Sequence, residues 1–276
     1  VLYDKLAKMF DQAGLERIIV CRMADILPPL KALLFPLLRY KELAAVPHDA
    51  RHVPFHQLIA NDGKPQPVAI EPMTDVAVLQ YTGGTTGVPK GAVLTHANLT
   101  INAQQSSLWF PQFRLGEERM LGVLPFFHVF ALTCVLNVGL RIGAEIVMLP
   151  RFDLKQVVKI IAAKKITLFP AVPTIYTAIN QFKDLGNYDL SSIRFCISGG
   201  AALPVEVKRD FEKLTGCVLV EGYGLSETSP VACANPTVGA NKPGSIGLPL
   251  PGTVIEIVSL EDRTTPLPAG ERGEVC

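Results

Sequence analysis

The sequence predicts an α/β protein with parallel sheets joined by helical crossovers, followed by the start of a small β-barrel subdomain. Three observations point there. From residue 75 onward, short β-branched runs alternate with helical patterns of roughly ten residues. After Pro243 the helical patterns stop, and Gly, Pro and short strand patterns replace them. Hydrophobic residues make up 49% of the 276 positions against 18% charged, enough material for a large dry core. The expected division is an α/β portion over residues 1–243 and the beginning of an all-β unit over 244–276.

The elements follow in chain order. Leu2, Leu6, Met9 and Phe10 fall at helical spacing, and Gly14 stops that helix. Ile18 to Cys21 reads as a short buried strand. Ile26 to Leu38 is the most apolar stretch, with Lys31, Arg39 and Lys41 nearby. It is too short to span a bilayer, and Pro28, Pro29 and Pro36 are expected to break it. A peripheral membrane contact through 26–40 and a helix packed against protein are both open readings there. His48, His52 and His56 lie four apart, but Pro47 and Pro54 argue against one helix carrying all three, so loop histidines are expected instead of a metal site. Val76 to Tyr81 alternates as a strand, and Asn98 to Leu108 suits a helix. Glu145 to Leu149 and Ile166 to Phe169 read as strands around an amphipathic helix, Leu154 to Lys164. Pro173 opens a helix over Thr174 to Phe182. Ile193 to Ser198 is a strand turned by Gly199 and Gly200; Pro204 opens a helix to about Leu214; Val218 to Glu221 is the next strand. Thr253 to Val258 reads as a strand of the all-β unit, with another beginning at Gly273.

Composition excludes several classes. Lys plus Arg number 26 against 25 acids, so no basic surplus exists for a general grip on nucleic acid. No repeat of solenoid length is present. The six cysteines include no C-x-x-C pair and sit mostly in apolar runs, as reduced thiols of a cytoplasmic protein do. Val1 at the start and the strand-like Glu274-Val-Cys276 at the end suggest a piece of a longer protein.

In parallel α/β sheets, ligands bind beyond the carboxyl ends of the strands, which directs attention to three loops. The first is Tyr81-Thr-Gly-Gly-Thr-Thr-Gly-Val-Pro-Lys-Gly91. Gly83, Gly84 and Gly87 let backbone amides approach a ligand, Thr82, Thr85 and Thr86 add hydroxyls, and Lys90 adds a charge. That chemistry suits polyphosphate oxygens, although no Walker lysine is present and a GTPase-like switch is thereby disfavoured. The second is Ser198-Gly-Gly-Ala-Ala202, whose small residues admit a flat ring or merely a close strand–helix contact. No nucleophile elbow surrounds Ser198. The third is Glu221-Gly-Tyr-Gly-Leu-Ser-Glu-Thr228. Here Tyr223 can stack on a base, Ser226 can donate to a phosphate and Glu227 can hold Mg²⁺.

The first and third stretches together resemble the adenylate-forming superfamily, which includes acyl-CoA synthetases, luciferases and the adenylation domains of peptide synthetases. Leu124-Pro-Phe-Phe-His-Val-Phe-Ala-Leu132 resembles that superfamily's segment beside the carboxylate site. The resemblance covers essentially the whole chain. It is strongest to bacterial-type long-chain fatty-acid–CoA ligases, in the wording Gln80-Tyr-Thr-Gly-Gly-Thr-Thr-Gly87 and in the apolar Ile26–Leu38 insert.

The resemblance implies an acyl-CoA synthetase-like large domain that joins a fatty acid to ATP as acyl-AMP and then passes the acyl group to CoA. A carrier protein as acceptor, or a non-catalytic acyl-adenylate-binding module, are the alternatives. It implies that Thr82 and Glu227 position Mg²⁺, and that Thr85, Thr86 and Lys90 cradle the β- and γ-phosphates of ATP. Gly200, Ala201, Glu221, Gly222, Tyr223 and Gly224 would form the adenine slot. Ser226 stands where threonine is usual, against the α-phosphate. His128 would lie beside the acyl carboxylate, and Phe126, Phe127, Val129 and Phe130 are either core or pocket wall. From Met120 to Leu140 there is no acid to pair with an α-amine, which favours an apolar acyl chain over an amino acid. The resemblance places the ribose-binding aspartate and the small C-terminal domain, with its lysine, outside these 276 residues, so the chain alone is expected to bind ATP weakly and turn over little.

Overall fold

A computed structural model of the chain describes residues 3–82 and 89–276. It divides into two units, Val1–Ala69 and Ile70–Cys276.

In the first unit, helix α1 (Tyr3–Met9) precedes strand β1 (Ile18–Val20), and helix α2 (Pro29–Leu38) precedes strand β2 (His52–Pro54) and helix α3 (Phe55–Ile59). β1 and β2 pair in parallel. Pro28 and Pro29 sit at the start of α2, where no intrahelical N–H is needed, so they open the helix instead of breaking it. Pro36 lies inside α2 and does not end it: only two more helical residues follow, and the Arg39 N–H still reaches the Phe35 carbonyl. The expectation of a broken segment is corrected on both counts. His52 belongs to β2 and His56 to α3, so neither is a loop histidine. The His52 ring bonds Asp49 at 2.7 Å and the Tyr3 hydroxyl at 3.1 Å.

The second unit opens with an antiparallel hairpin, β3 (Val76–Thr82) and β4 (Lys90–Thr95), in which Thr82 is paired with Lys90. The first chemical loop therefore joins two strands of a hairpin; it does not lead from a strand directly into a helix. Helix α4 (His96–Trp109) begins earlier than its apolar pattern suggests, because Thr95 caps it in a reciprocal box with Asn98.

A parallel layer follows. Strand β5 (Arg119–Gly122) leads into a crossover made of α5 (Val129–Ala131), a π-helical stretch Leu132–Asn137 and α6 (Val138–Ile142). Strand β6 (Glu145–Met148) returns beside β5. Helix α7 (Leu154–Lys164) is capped by Asp153, which accepts from the Gln156 N–H at 2.8 Å. Residues 167–171 then run between β5 and a later strand. Leu168 bridges both neighbours, and Phe169 and Ala171 donate to the carbonyls of Phe195 and Ile197. The expected strand at Ile166–Phe169 is thus this bridging segment. Helix α8 (Pro173–Asn180), strand β7 (Phe195–Ser198), helix α9 (Val205–Thr215) and strand β8 (Val218–Gly224) complete the alternation. β9 (Val231–Ala234) and β10 (Leu248–Pro249) extend the edge in antiparallel sense.

Across the layer the order is β6, β5, residues 167–171, β7, β8, β9, β10. The parallel part therefore starts in the middle, steps one way to β6, and then progresses the other way. Alternate residues of each strand feed opposite faces. Leu121, Phe169, Cys196 and Leu219 pack with α7, α8 and α9. Met120, Leu168, Phe195, Ile197 and Val220 pack with α4 and the 129–142 crossover. At the amino ends of the strands, Glu118 is 1% exposed and accepts from Arg194 at 2.7 Å, Thr167 at 2.5 Å and the Arg114 N–H at 2.8 Å.

Beyond Pro243 the expected strand Thr253–Val258 contracts to β11 (Ile257–Val258), which pairs with β12 (Glu274–Val275). Among the described residues these short strands do not close into a barrel.

Candidate functional site

The strand order reverses between β5 and residues 167–171, and a crevice at such a reversal is where open α/β sheets take ligands. The segment leaving β5 there is Val123 to His128. On the same, carboxyl-terminal, side lie Gly199 and Gly200 after β7 and the end of β8. A cavity of about 200 Å³ opens among them, lined by His128, Val129, Phe130, Ile197, Gly199, Gly200, residues 222–226, Pro230 and Val231. Of the residues singled out from the sequence, it collects His128, Gly200, Gly222, Tyr223, Gly224 and Ser226.

The hairpin is tied to the same rim. The side chain of Gln80 in β3 donates to the Phe127 carbonyl at 2.9 Å, beside His128. β4, which starts at Lys90, packs against the single turn Ser226–Thr228. Thr82 donates to the Lys90 carbonyl at 3.4 Å across the hairpin. Gly83, Gly84, Thr85, Thr86 and Gly87 lie outside the described residues. Lys90 and Glu227 are exposed, and neither Thr82, Lys90, Ala201, Glu221 nor Glu227 lines the cavity itself.

Each wall has a local cause. His128 is the N-cap of α5: its Nδ1 accepts the Phe130 N–H at 3.2 Å, which assigns the ring proton to Nε2 and leaves that nitrogen for a ligand. The residue is exposed and is not part of the core. Val129 and Phe130 are both core and cavity wall, whereas Phe127 is 82% exposed. β8 continues through Gly222 and Tyr223 to Gly224, so the first half of the third loop is strand, not loop. Gly224 has no room for a side chain, because an added Cβ would stand 1.8 Å from the Pro230 carbonyl oxygen. Glu221 is buried and accepts the Leu203 N–H at 3.0 Å. Ser198 is fully buried and its hydroxyl has no partner, which removes it as an attacking group.

Sequence reasoning left Val129 and Phe130 open between wall and core; Ile197, Pro230 and Val231 it missed outright as cavity wall. Their signal is weak, since Pro230-Val231 reads as an ordinary strand start. A second cavity of about 30 Å³ lies under α4, lined mainly by Phe110, Phe113, Met120, Cys134, Phe195 and Ser106, and shares Ile197 with the first.

Mg²⁺ takes oxygen ligands, commonly one or two carboxylates together with phosphates. The hydroxyl of Thr82 and the carboxylate of Glu227 provide such donors on two elements, the hairpin and the Ser226–Thr228 turn, that pack together. The residues present fit the ion. Among the described residues, no cluster of three metal-ligating His, Cys, Asp or Glu exists.

A small-residue turn after β7 and a Tyr-bearing strand end meet at one cavity, with the β3–β4 hairpin tied to its rim through Gln80, an arrangement suited to a nucleotide-binding domain. The AMP-binding enzyme family signature matches residues 4–276, and the chain belongs to that family. It is 44% identical over 278 residues to the long-chain-fatty-acid–CoA ligase of Bacillus subtilis, covering 100% of this chain and 50% of the relative. It is 35% identical to the long-chain-fatty-acid–CoA ligase of Escherichia coli O6:H1, covering 98% and 49%. ATP-bound MatB from Rhodopseudomonas palustris superposes with a TM-score of 0.66 and 31% identity, over 73% of this chain and 39% of that one. The apo form of that protein covers 99% of this chain and 52% of its own, at 25% identity and a TM-score of 0.76. The chain spans about half the length of the curated relatives it matches.

Proposed function

We propose that this chain carries the nucleotide and acyl site of a long-chain fatty-acid–CoA ligase. A fatty-acid carboxylate oxygen attacks the α-phosphorus of ATP, the bond to the β-phosphate oxygen breaks, and acyl-AMP and pyrophosphate result. The CoA thiol then attacks the acyl carbon, losing its proton, and AMP leaves. The observation that carries this reading is the convergence of His128, Gly200, Tyr223 and Ser226 on one crevice at the carboxyl ends of β7 and β8. The 44% identity to a ligase named for long-chain fatty acids and CoA supports the substrates.

In this reading the Gly222–Gly224 strand and Gly199–Gly200 sandwich the adenine, with Tyr223 stacked on it. Glu221 fixes the floor through Leu203. Ser226 donates to the α-phosphate, and Lys90 with Thr85 and Thr86 meets the outer phosphates. Thr82 and Glu227 hold Mg²⁺, which neutralises phosphate charge so that an anion can attack an anion. His128 orients the carboxylate through Nε2. The acceptor is CoA, not a carrier protein, on the relatives' names.

The six free thiols support a cytoplasmic setting. Helix α2 is proposed to rest on a membrane surface. Ile26, Leu30, Leu33, Leu37 and Leu38 are each more than 70% exposed, residues 26–41 carry three cations and no acid, and no described helix is long and apolar enough to cross a membrane. Sedimentation with anionic vesicles, lost in L33D/L37D, checks this.

Fatty-acid-dependent ATP–pyrophosphate exchange tests the main reading, run on the longest native reading frame and on the 276-residue piece side by side. Exchange with C12–C18 acids in the long form, followed by CoA-dependent AMP release, is expected; the piece alone is expected to be nearly inactive. No exchange in either form with any carboxylate overturns it.

A further inference from the structure

Pro230 and Val231 line the cavity, and the backbone groups of Val231 and of the preceding Ser229 are held by side chains from elsewhere. β10 pairs only with Cys233 and Ala234, so Val231 has no strand partner on that edge. Asn102, on α4 and 4% exposed, takes the place of one. Its Nδ2 donates to the Val231 carbonyl at 2.8 Å and its Oδ1 accepts the Val231 N–H at 3.1 Å. Two residues earlier, the Ser229 carbonyl accepts from the hydroxyl of Thr133 at 3.0 Å. Thr133 is fully buried in the π-helical stretch of the crossover that begins at His128. A π turn shifts the direction of the side chains after it, and such turns are common near functional sites.

We infer that Asn102 and Thr133 are positioning residues that set the width and tilt of the adenine slot. Neither lines the cavity. They act through the backbone behind it: the Pro230 carbonyl lies against Gly224, where a Cβ would stand 1.8 Å from it, so any movement of Ser229–Val231 is passed directly to Gly224 and Tyr223. Thr133 also links this wall to the crossover that carries His128, so the two sides of the crevice keep a fixed spacing. Two buried polar side chains with three bonds to the two residues that flank Pro230 do more than fill space. Each removes an unsatisfied backbone group, and each fixes where the slot's rear wall stands.

The inference rests on the nucleotide reading above, and its test separates the two. Exchange kinetics and equilibrium binding of ATP with Mg²⁺ are measured on the full native reading frame for wild type, N102A, T133V and T133S. Thr133→Val is nearly isosteric and removes only the hydroxyl, while T133S keeps the hydroxyl and loses a methyl. Loss of one buried hydrogen bond corresponds to about a tenfold effect. N102A and T133V are expected to raise the KM and the dissociation constant for ATP by about that factor, with the KM for fatty acid unchanged, and to weaken the preference for ATP over GTP. T133S is expected to keep wild-type values. A purely structural role predicts the reverse order for the Thr133 pair, with the methyl-deleting T133S the worse one, and unchanged ATP constants in every variant that folds; that result overturns the inference alone. Wild type that neither binds ATP nor supports exchange overturns the nucleotide reading, and the positioning role with it.

Discussion

The buried carboxylate of Glu221 accepts the backbone N–H of Leu203 at 3.0 Å, and this bond joins the end of β8 to the loop that follows β7. Two of the three loops singled out by their composition are therefore fastened by a residue within one of them. The family resemblance puts Glu221 in the adenine slot; in the structure its buried carboxylate does not line the cavity and instead holds Leu203. E221A leaves the Leu203 N–H buried without a partner and is expected to cost about 2 kcal/mol in urea unfolding. E221Q, which keeps an acceptor oxygen, is expected to cost less than half of that.

Gly222 and Gly224 differ in a way the sequence does not reveal. A Cβ at Gly224 meets the Pro230 carbonyl oxygen at 1.8 Å, which is backbone and cannot turn aside. A Cβ at Gly222 meets the end of the Ile197 side chain at 2.9 Å, which can. G224A is expected to lose about 3 kcal/mol and nearly all ATP binding, and G222A about 1 kcal/mol. Thermal melts with and without ATP compare the two.

His128 both caps a helix and faces the cavity, and these roles separate by substitution. H128A is expected to lower exchange at least about tenfold and to cost about 1 kcal/mol, because the Phe130 N–H loses its acceptor. H128N restores a capping side chain, so it is expected to recover the stability and not the activity. Parallel exchange assays and urea melts on the two variants check the split.

Burial pushes the Cys134 thiol up to about 12, and burial likewise raises Cys196. Above about pH 9 the unfolded chain gives up thiol protons that the folded chain retains, so stability falls as pH rises. The slope contributed by Cys134 is about 1.4 kcal/mol per pH unit between pH 9 and 12. Urea melts across that range are expected to show the decline, and C134A to show a shallower one from a lower starting stability. The same burial keeps Cys134 unreactive toward iodoacetamide at pH 8 in the folded protein.

The legible parts of the sequence were those with a strong local period or cap. α7 occupies its expected residues because its apolar spacing and the Asp153 cap agree. α9 ends at Thr215, one residue past its expected end, and Gly216 caps it in the left-handed region. β4, β5 and the 129–142 crossover were missed. β4 follows a glycine-rich loop that hides it, β5 is only four residues long, and the crossover is apolar on all sides, so periodicity does not mark it. The second chain division was equally hidden, since residues 1–69 and 70–276 do not differ in texture at their junction. At the site, the motif residues were legible because they bring glycines and hydroxyls together in short stretches. Asn102 and Thr133 were not, because their roles depend on contacts with residues about a hundred or more positions away in sequence.

The central claim is that the turn after β7 and the end of β8 form one adenine-nucleotide site at the carboxyl ends of the strands. Photolabelling of the native protein with 8-azido-ATP and Mg²⁺, followed by peptide mapping, tests it most directly. The account predicts a label on the peptide containing Tyr223 or on the one containing Gly199 and Gly200, suppressed by excess ATP and weakened in G224A. A suppressible label confined to residues away from the cavity wall, with these peptides unmodified, would contradict it.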